Sequence, residues 1–212
     1  LSVQSLTAGI EARLDPILDL LQELLRPKGI ICRRDGSGRM LEGLERLGTL
    51  ERGEVPELID APYEGYILTI DLRGGQKTGE FLDQRENRKR VAHEAHGKRV
   101  LDLYCHTGLF ALHCAAAGAK SVLGIDSSRP AVERARENHR RNAPLKDVTF
   151  REARVEDVVR AYGREEERFD LIILDIRLPK LDGLRVLQAV RQDNVTAPVL
   201  LLTVRATIED KV

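Results

Sequence analysis

Two rhythms of apolar positions divide the chain. Over residues 6 to 25, LTAGIEARLDPILDLLQELL, the residues Ile10, Leu14, Ile17, Leu18, Leu21, Leu24 and Leu25 recur near the helical period, which predicts an amphipathic helix with Pro16 as a kink. IICRR (30 to 34) and YILTIDL (66 to 72) are short runs of β-branched and apolar residues and read as strands, with turn chemistry in DGSG after the first. Residues 41 to 62 are polar, acidic and punctuated by Gly and Pro. Residues 1 to 75 are therefore expected to form a small α+β module.

From residue 98 the pattern changes to strand and helix in alternation. RVLDLYC, SVLGID, VTF, FDLIILD and APVLLLT read as five strands, separated by the helical segments TGLFALHCAAAGA, SRPAVERARENHRRN, EDVVRAY and GLRVLQAVRQ. Pro130 sits in the first turn of the second of these helices, where its missing N–H costs nothing. Strands spaced by helices predict an α/β fold, with a parallel sheet covered on both faces.

Composition narrows the setting. Thirty-four basic and 34 acidic residues cancel, so the chain as a whole exerts no pull on nucleic acid or an anionic membrane, and any affinity for RNA has to be local. The basic helix RPAVERARENHRR carries Arg129, Arg134, Arg136, Arg140 and Arg141, but interspersed glutamates and the lack of aromatic stacking residues favour a solvated face. Three cysteines, Cys32, Cys105 and Cys114, show no CxxC pair, which suggests neither a disulfide framework nor a zinc site. No apolar run of about 18 residues and no signal peptide are visible, so the expected setting is the cytoplasm with no membrane partner.

Candidate chemistry sits on the first two strands of the alternating region. Asp102 is followed six residues later by Gly108 at a helix start, and Asp126 ends the second strand 18 residues beyond Gly108. In an open α/β sheet, ligands bind outside the carboxyl ends of the strands where strand order reverses. An acid at the second strand end accepts hydrogen bonds from ribose hydroxyls, and a glycine in the first turn is expected to let the backbone approach a ligand closely.

The strings GGQKTGEFLDQRENR (74 to 88), VLDLYCHTGLFALHCAAAGAKSVLGIDSS and ARENHRRN resemble the S-adenosylmethionine-dependent methyltransferases of large-subunit ribosomal RNA, of the cytosine-5 type, over about residues 5 to 175. The resemblance implies a Rossmann-like class I methyltransferase domain over residues 76 to 212, with residues 1 to 75 as part of a substrate-side module. It implies S-adenosylmethionine as cofactor and RNA, specifically ribosomal RNA, as partner. The pocket it implies consists of Gln76, Lys77, Thr78, Gln84, Arg85, Asp102, Thr107, Gly108, Asp126 and Ser127, with no metal. Lys77 and Arg85 then face the donor's carboxylate or an RNA phosphate.

Departures from the family pattern accompany these matches. Leu109 replaces the second glycine of the turn, Glu80 stands where an aromatic residue is common, and Arg154 occupies the position of an acid that contacts the adenine amino group, for which Glu152 or Asp157 could substitute. The fourth strand runs into LDIRLPKLDGLRVL instead of an Asp-Pro-Pro loop, and no cysteine follows Cys114 to act as the nucleophile that cytosine-5 methylation requires. Residues 169 to 212 instead resemble the second half of a response-regulator receiver domain. That likeness makes Asp175 the phospho-acceptor of a phosphorelay, followed by Pro179, Asp182 and Gly183, with Thr203 sensing the phosphoryl group. The first strand lacks the acidic pair that would hold the divalent ion for such a transfer.

Three readings follow. The chain is a donor-binding RNA methyltransferase-type protein with impaired turnover, a receiver-like protein, or a chimeric scaffold joined near EEERFD without activity. In each case a shared parallel strand leads to a sheet in the order 3-2-1-4-5, truncated relative to a seven-stranded methyltransferase sheet.

Overall fold

The computed structural model describes residues 1–75, 80–145, 147–162, 169–175, 183–192 and 197–202. The chain divides into two compact units, Leu1–Leu82 and Asp83–Val212.

The first unit contains β1 (Ser2–Gln4), α1 (Ala8–Glu11), α2 (Leu14–Leu25), β2 (Gly29–Arg33), α3 (Gly38–Leu41), β3 (Leu50–Gly53), β4 (Leu58–Tyr63) and β5 (Tyr66–Asp71). β2 is the centre of a three-stranded sheet, parallel to β1 and antiparallel to β3. α2 lays Leu14, Leu18 and Leu21 on Ile30 and Cys32 of that sheet, together with Val3 and Leu50. The single kinked helix expected over 6 to 25 is two helices. Pro16 is the third residue of α2, where no intrahelical N–H is needed, so it opens a helix and kinks none. β4 and β5 form a hairpin whose two-residue turn, Glu64 and Gly65, has both φ angles positive (50° and 88°), the geometry that matches strand twist.

A buried cation knits this unit together. Arg39 is 1% exposed, and its guanidinium donates to the carbonyls of Glu45 (2.8 Å) and Ser5 (2.7 Å) and to Glu11 Oε2 (2.7 Å). Hydrogen bonds from Arg39 and then Ser5 hold the Glu11 carboxyl down at about 2, against an ordinary 4.5. The pair's contribution to stability is thus complete above about pH 4.5 and fades as the pH falls through about 2.

A 3₁₀ turn, Leu82–Gln84, runs across the boundary into the second unit, which contains α4 (Arg85–Ala95), β6 (Arg99–Leu103), α5 (Leu109–Ala116), β7 (Ser121–Asp126), α6 (Arg129–Arg141), β8 (Val148–Glu152), α7 (Val155–Tyr162), β9 (Leu171–Asp175), α8 (Gly183–Gln192) and β10 (Val199–Leu202). The five strands are parallel in the order β8-β7-β6-β9-β10, the expected 3-2-1-4-5. Alternate residues serve opposite faces. Val100, Leu171 and Ile173 pack with α4, α5 and α6, whereas Leu101, Leu103, Ile172 and Leu174 pack with α7 and α8. Both faces being covered explains the near-continuous apolar strands. At the amino ends Asp170 is clamped by Arg99, through its guanidinium (3.1 Å) and backbone N–H (2.9 Å), which holds the carboxyl at about 2 and fixes β9 beside β6. Among the described residues no helix is long and apolar enough to cross a membrane.

Candidate functional site

The site residues collect where the sheet order reverses, at the carboxyl ends of β6 and β7. After β6 the chain turns sharply, with Tyr104 (φ 61°), His106 (φ 50°) and Gly108 (φ 83°) all in the left-handed region. The turn is held by the Cys105 N–H donating to the Ile125 carbonyl (2.9 Å) and the Gly108 N–H donating to the Cys105 carbonyl (2.8 Å). Asp126 ends β7 and ties this turn to the next. Its Oδ2 accepts the His106 N–H (2.9 Å) and its Oδ1 accepts the Ser128 N–H (2.8 Å). The carboxylate is thereby fixed in orientation, only partly buried, and left with lone pairs directed away from both amides. Below it, the buried Asn138 of α6 donates to the Thr107 carbonyl (3.1 Å).

Asp102 lies on the same face as Val100, under the start of α5, and is 2% exposed. Its carboxyl accepts the Ala111 N–H, one of the donors that a helix start leaves unpaired and that Gly108, lacking a side chain, cannot cap. The second oxygen, Oδ2, is buried without a hydrogen-bond partner. Burial first, and the neighbouring Asp126 carboxylate to a lesser degree, push this carboxyl up to about 8 from 3.8, against the opposing Ala111 hydrogen bond. A buried acid with an orphaned oxygen suits a cationic or hydrogen-bonding ligand group.

Gly108 has a packing reason for being glycine beside the ligand approach expected of it. A Cβ there would meet Phe150 Cζ at 2.7 Å, Phe150 Cε1 at 2.8 Å and Ala135 Cβ at 3.0 Å, all parts of the core beneath the turn. Gly124 faces the same ring, with Phe150 Cδ1 at 2.5 Å from where its Cβ would stand. The Phe150 ring therefore occupies the space that these two glycines leave empty.

The remaining predicted residues divide into three groups. Gln76, Lys77 and Thr78 lie outside the described residues, as do Pro179, Asp182 and Thr203. Gln84 precedes α4 and its side-chain carbonyl is engaged by Asn87 (2.8 Å), Arg85 is exposed at the first turn of α4, and Ser127 is exposed after β7. Asp175 ends β9, partly buried, and among the described residues no group of three His, Cys, Asp or Glu could hold a metal ion. Glu152 and Asp157, the acids considered as substitutes at Arg154, are both exposed.

Two residues that sequence reasoning missed point into this region. Tyr104 packs against the α7/α8 face with its hydroxyl buried and without a partner, and Glu156, in the first turn of α7, has Oε1 in the same condition. The arginines of α6 are largely engaged locally, Arg129 with Glu133 (2.9 Å), Arg140 and Arg141 with Glu137, and Arg136 with the Phe150 carbonyl (2.7 Å). All three cysteines are buried, and burial pushes each thiol up, Cys105 well above the usual range.

Comparison with known proteins agrees with this geometry. The family model for S-adenosylmethionine-dependent methyltransferases matches residues 47–209, unbroken across the point near EEERFD where a junction was expected. One similar protein is ribosomal RNA large subunit methyltransferase I of Photobacterium profundum, 36% identical over 174 residues that cover 81% of this chain and 44% of that protein. The chain thus spans less than half the length of the relatives it matches. Among solved structures, SMU.776 complexed with SAH superposes with a TM-score of 0.76 at 18% identity, covering 98% of this chain and 57% of that one. The complex of aTrm5 and tRNALeu gives 0.61 at 21% identity, covering 90% and 51%. A continuous family match, a parallel sheet in the order 3-2-1-4-5 and acids at the ends of its first two strands together show that this chain belongs to the S-adenosylmethionine-dependent methyltransferases.

Proposed function

We propose that this chain forms the donor-binding part of an RNA methyltransferase acting on large-subunit ribosomal RNA. The observation that carries the reading is the pair of strand-end acids, Asp126 with its carboxylate oriented by two backbone amides and Asp102 with a buried oxygen that no group among the described residues satisfies. Asp126 is suited to accept the ribose hydroxyls of the donor, and Asp102 its ammonium group. Thr107, Gly108 and Ser127 border the same turn, while Gln76, Lys77, Thr78, Gln84 and Arg85 are assigned from the family resemblance. When bound, S-adenosylmethionine supplies an electrophilic methyl group. What the chain's own residues do is bind and orient the donor.

The ribosomal RNA substrate is supported by the name that the related methyltransferase bears. A cytosine-5 reaction has less support. It needs a nucleophile to add to the base, and the cysteines here are buried with thiols pushed up, in the protonated form. A receiver-like phosphoryl site at Asp175 has less again, since the described residues hold no metal cluster.

Thermal melting with S-adenosylhomocysteine tests the reading. At about 100 times its Kd, a ligand that binds only the folded state adds about 2.7 kcal/mol. For a chain of this size that raises Tm by roughly 5–10 °C. The account expects this shift in the wild-type protein and none in Asp126→Ala. Because Asp126 also holds two backbone amides, the ligand-induced shift is the readout, not the basal Tm. An equal shift in both proteins would contradict the assignment.

A further inference from the structure

One buried polar side chain of the second unit is out of keeping with the core around it. Asn138 is 1% exposed and continues the buried stripe of α6 begun by Val132 and Ala135, a position that calls for an apolar side chain. Asparagine is also a poor choice inside a helix, because its amide competes for backbone partners. The Asn138 backbone behaves ordinarily, its carbonyl accepting the Asn142 N–H (3.2 Å) and the Asn142 side-chain amide (2.6 Å) where α6 ends. The side chain does something else. Its Nδ2 reaches a carbonyl 31 residues earlier in the chain, that of Thr107 (3.1 Å).

What that carbonyl belongs to decides what the bond does. The Thr107 carbonyl and the Gly108 N–H are two edges of one planar peptide group. The N–H edge donates to the Cys105 carbonyl (2.8 Å) and the carbonyl edge accepts from Asn138, so the plane is gripped on both sides. The two preceding planes are held from β7, the Cys105 N–H by the Ile125 carbonyl (2.9 Å) and the His106 N–H by Asp126 Oδ2 (2.9 Å). The turn after β6 therefore has two anchors, one on β7 and one on α6. α6 meets the turn again at Ala135, whose Cβ lies 3.0 Å from where a Gly108 Cβ would stand. Anchoring matters here because Tyr104, His106 and Gly108 all hold left-handed dihedrals, which for the first two are costly and persist only where the surroundings enforce them.

We propose that Asn138 is a positioning residue of the donor pocket. From behind the turn, its amide fixes the Thr107–Gly108 peptide and so the backbone that borders the donor. This rests on the donor-pocket reading and adds to it a residue outside the pocket's lining. A bond that merely satisfied a buried carbonyl would stabilise the fold equally, so stability does not separate the two roles and donor affinity does.

Isothermal titration of the whole chain with S-adenosylhomocysteine is the test. Asn138→Leu keeps the volume and removes the hydrogen-bond donor, and Asn138→Ala removes it without asking the core to accept branched methyls, which covers the case in which the first variant does not fold. Each is expected to weaken binding about tenfold, because a turn that α6 no longer holds has to be ordered by the ligand. Val122→Ala, in the same core but at the opposite end of β7, is expected to lower stability and to leave the affinity within about twofold of wild type. In the ligand-free Asn138 variants the His106 and Gly108 amides are expected to exchange hydrogen faster relative to the amides of β7. Wild-type affinity in a folded Asn138 variant would overturn the positioning role and leave the donor pocket standing. No binding by the folded wild-type protein would overturn the pocket and the role together.

Discussion

Gly108→Ala is expected to destabilise the second unit by about 4 kcal/mol, a large share of the 5–15 kcal/mol typical of a folded domain. Two costs act at once. The residue has φ 83°, where any Cβ costs about 1–2 kcal/mol. The added Cβ also lies 2.7 Å from the Phe150 ring and 3.0 Å from Ala135, both in the main core, and overpacking of this kind costs about 1–3 kcal/mol. Neither neighbour can retreat easily, because the Phe150 ring is also packed against Gly124 and Ala135 belongs to α6. Urea midpoints are the check. Combining Gly108→Ala with Phe150→Leu should recover the steric part and leave the backbone part, so the two costs separate. A variant within about 1 kcal/mol of wild type would contradict the packing account of this glycine.

Asp102→Asn is expected to change the shape of the stability–pH curve. The carboxyl titrates near 3.8 when unfolded and near 8 when folded, so between those values the native state holds a proton that the unfolded chain has lost. Stability attributable to Asp102 is therefore complete below about pH 4 and declines as the pH rises toward 8, at about 1.4 kcal/mol per pH unit at most. Glu11 and Asp170, both held at about 2, work in the opposite sense at the acid end, so the slope belongs to the window from about pH 5 to 8. In that window wild-type urea midpoints should fall with rising pH. The amide that Asp102→Asn introduces does not titrate, so the variant's curve should be flatter and should lie above that of wild type beyond about pH 8. A parallel slope in both proteins would show that Asp102 is already ionised. Bound donor, whose ammonium favours the carboxylate, should flatten the wild-type curve as well.

The sheet order was legible because parallel strands covered on both faces read as apolar runs, and because the helices between them permit one economical winding. β1, β3 and β4 were not, since SVQ, LERG and LIDAPY are short and hold no buried residue, and the last two alternate between half-buried and exposed positions without matching polarity. Pro16 was misread because a proline inside an apolar helical period looks like a kink until the break at Arg13 places it in a first turn. At the site, Asp102, Gly108 and Asp126 were visible from spacing. The packing constraint on Gly108 was not, because it comes from Phe150, two strands away in the sheet. Tyr104 and Glu156 carry no motif at all. Tyr104 comes near Glu156 and Asp126 only through the placement of β7 between β6 and β8, which no local pattern encodes. The stretch after Asp175 is a separate case. Its likeness to a receiver suggested a junction, yet the family match continues through residue 209.

The most direct measurement is isothermal titration of the wild-type protein with S-adenosylhomocysteine at neutral pH. The account predicts saturable binding at one site per chain, accompanied by proton release from Asp102, seen as an observed heat that varies with the ionisation enthalpy of the buffer. A cooperatively folded protein that gives no binding heat in any buffer would contradict the donor pocket.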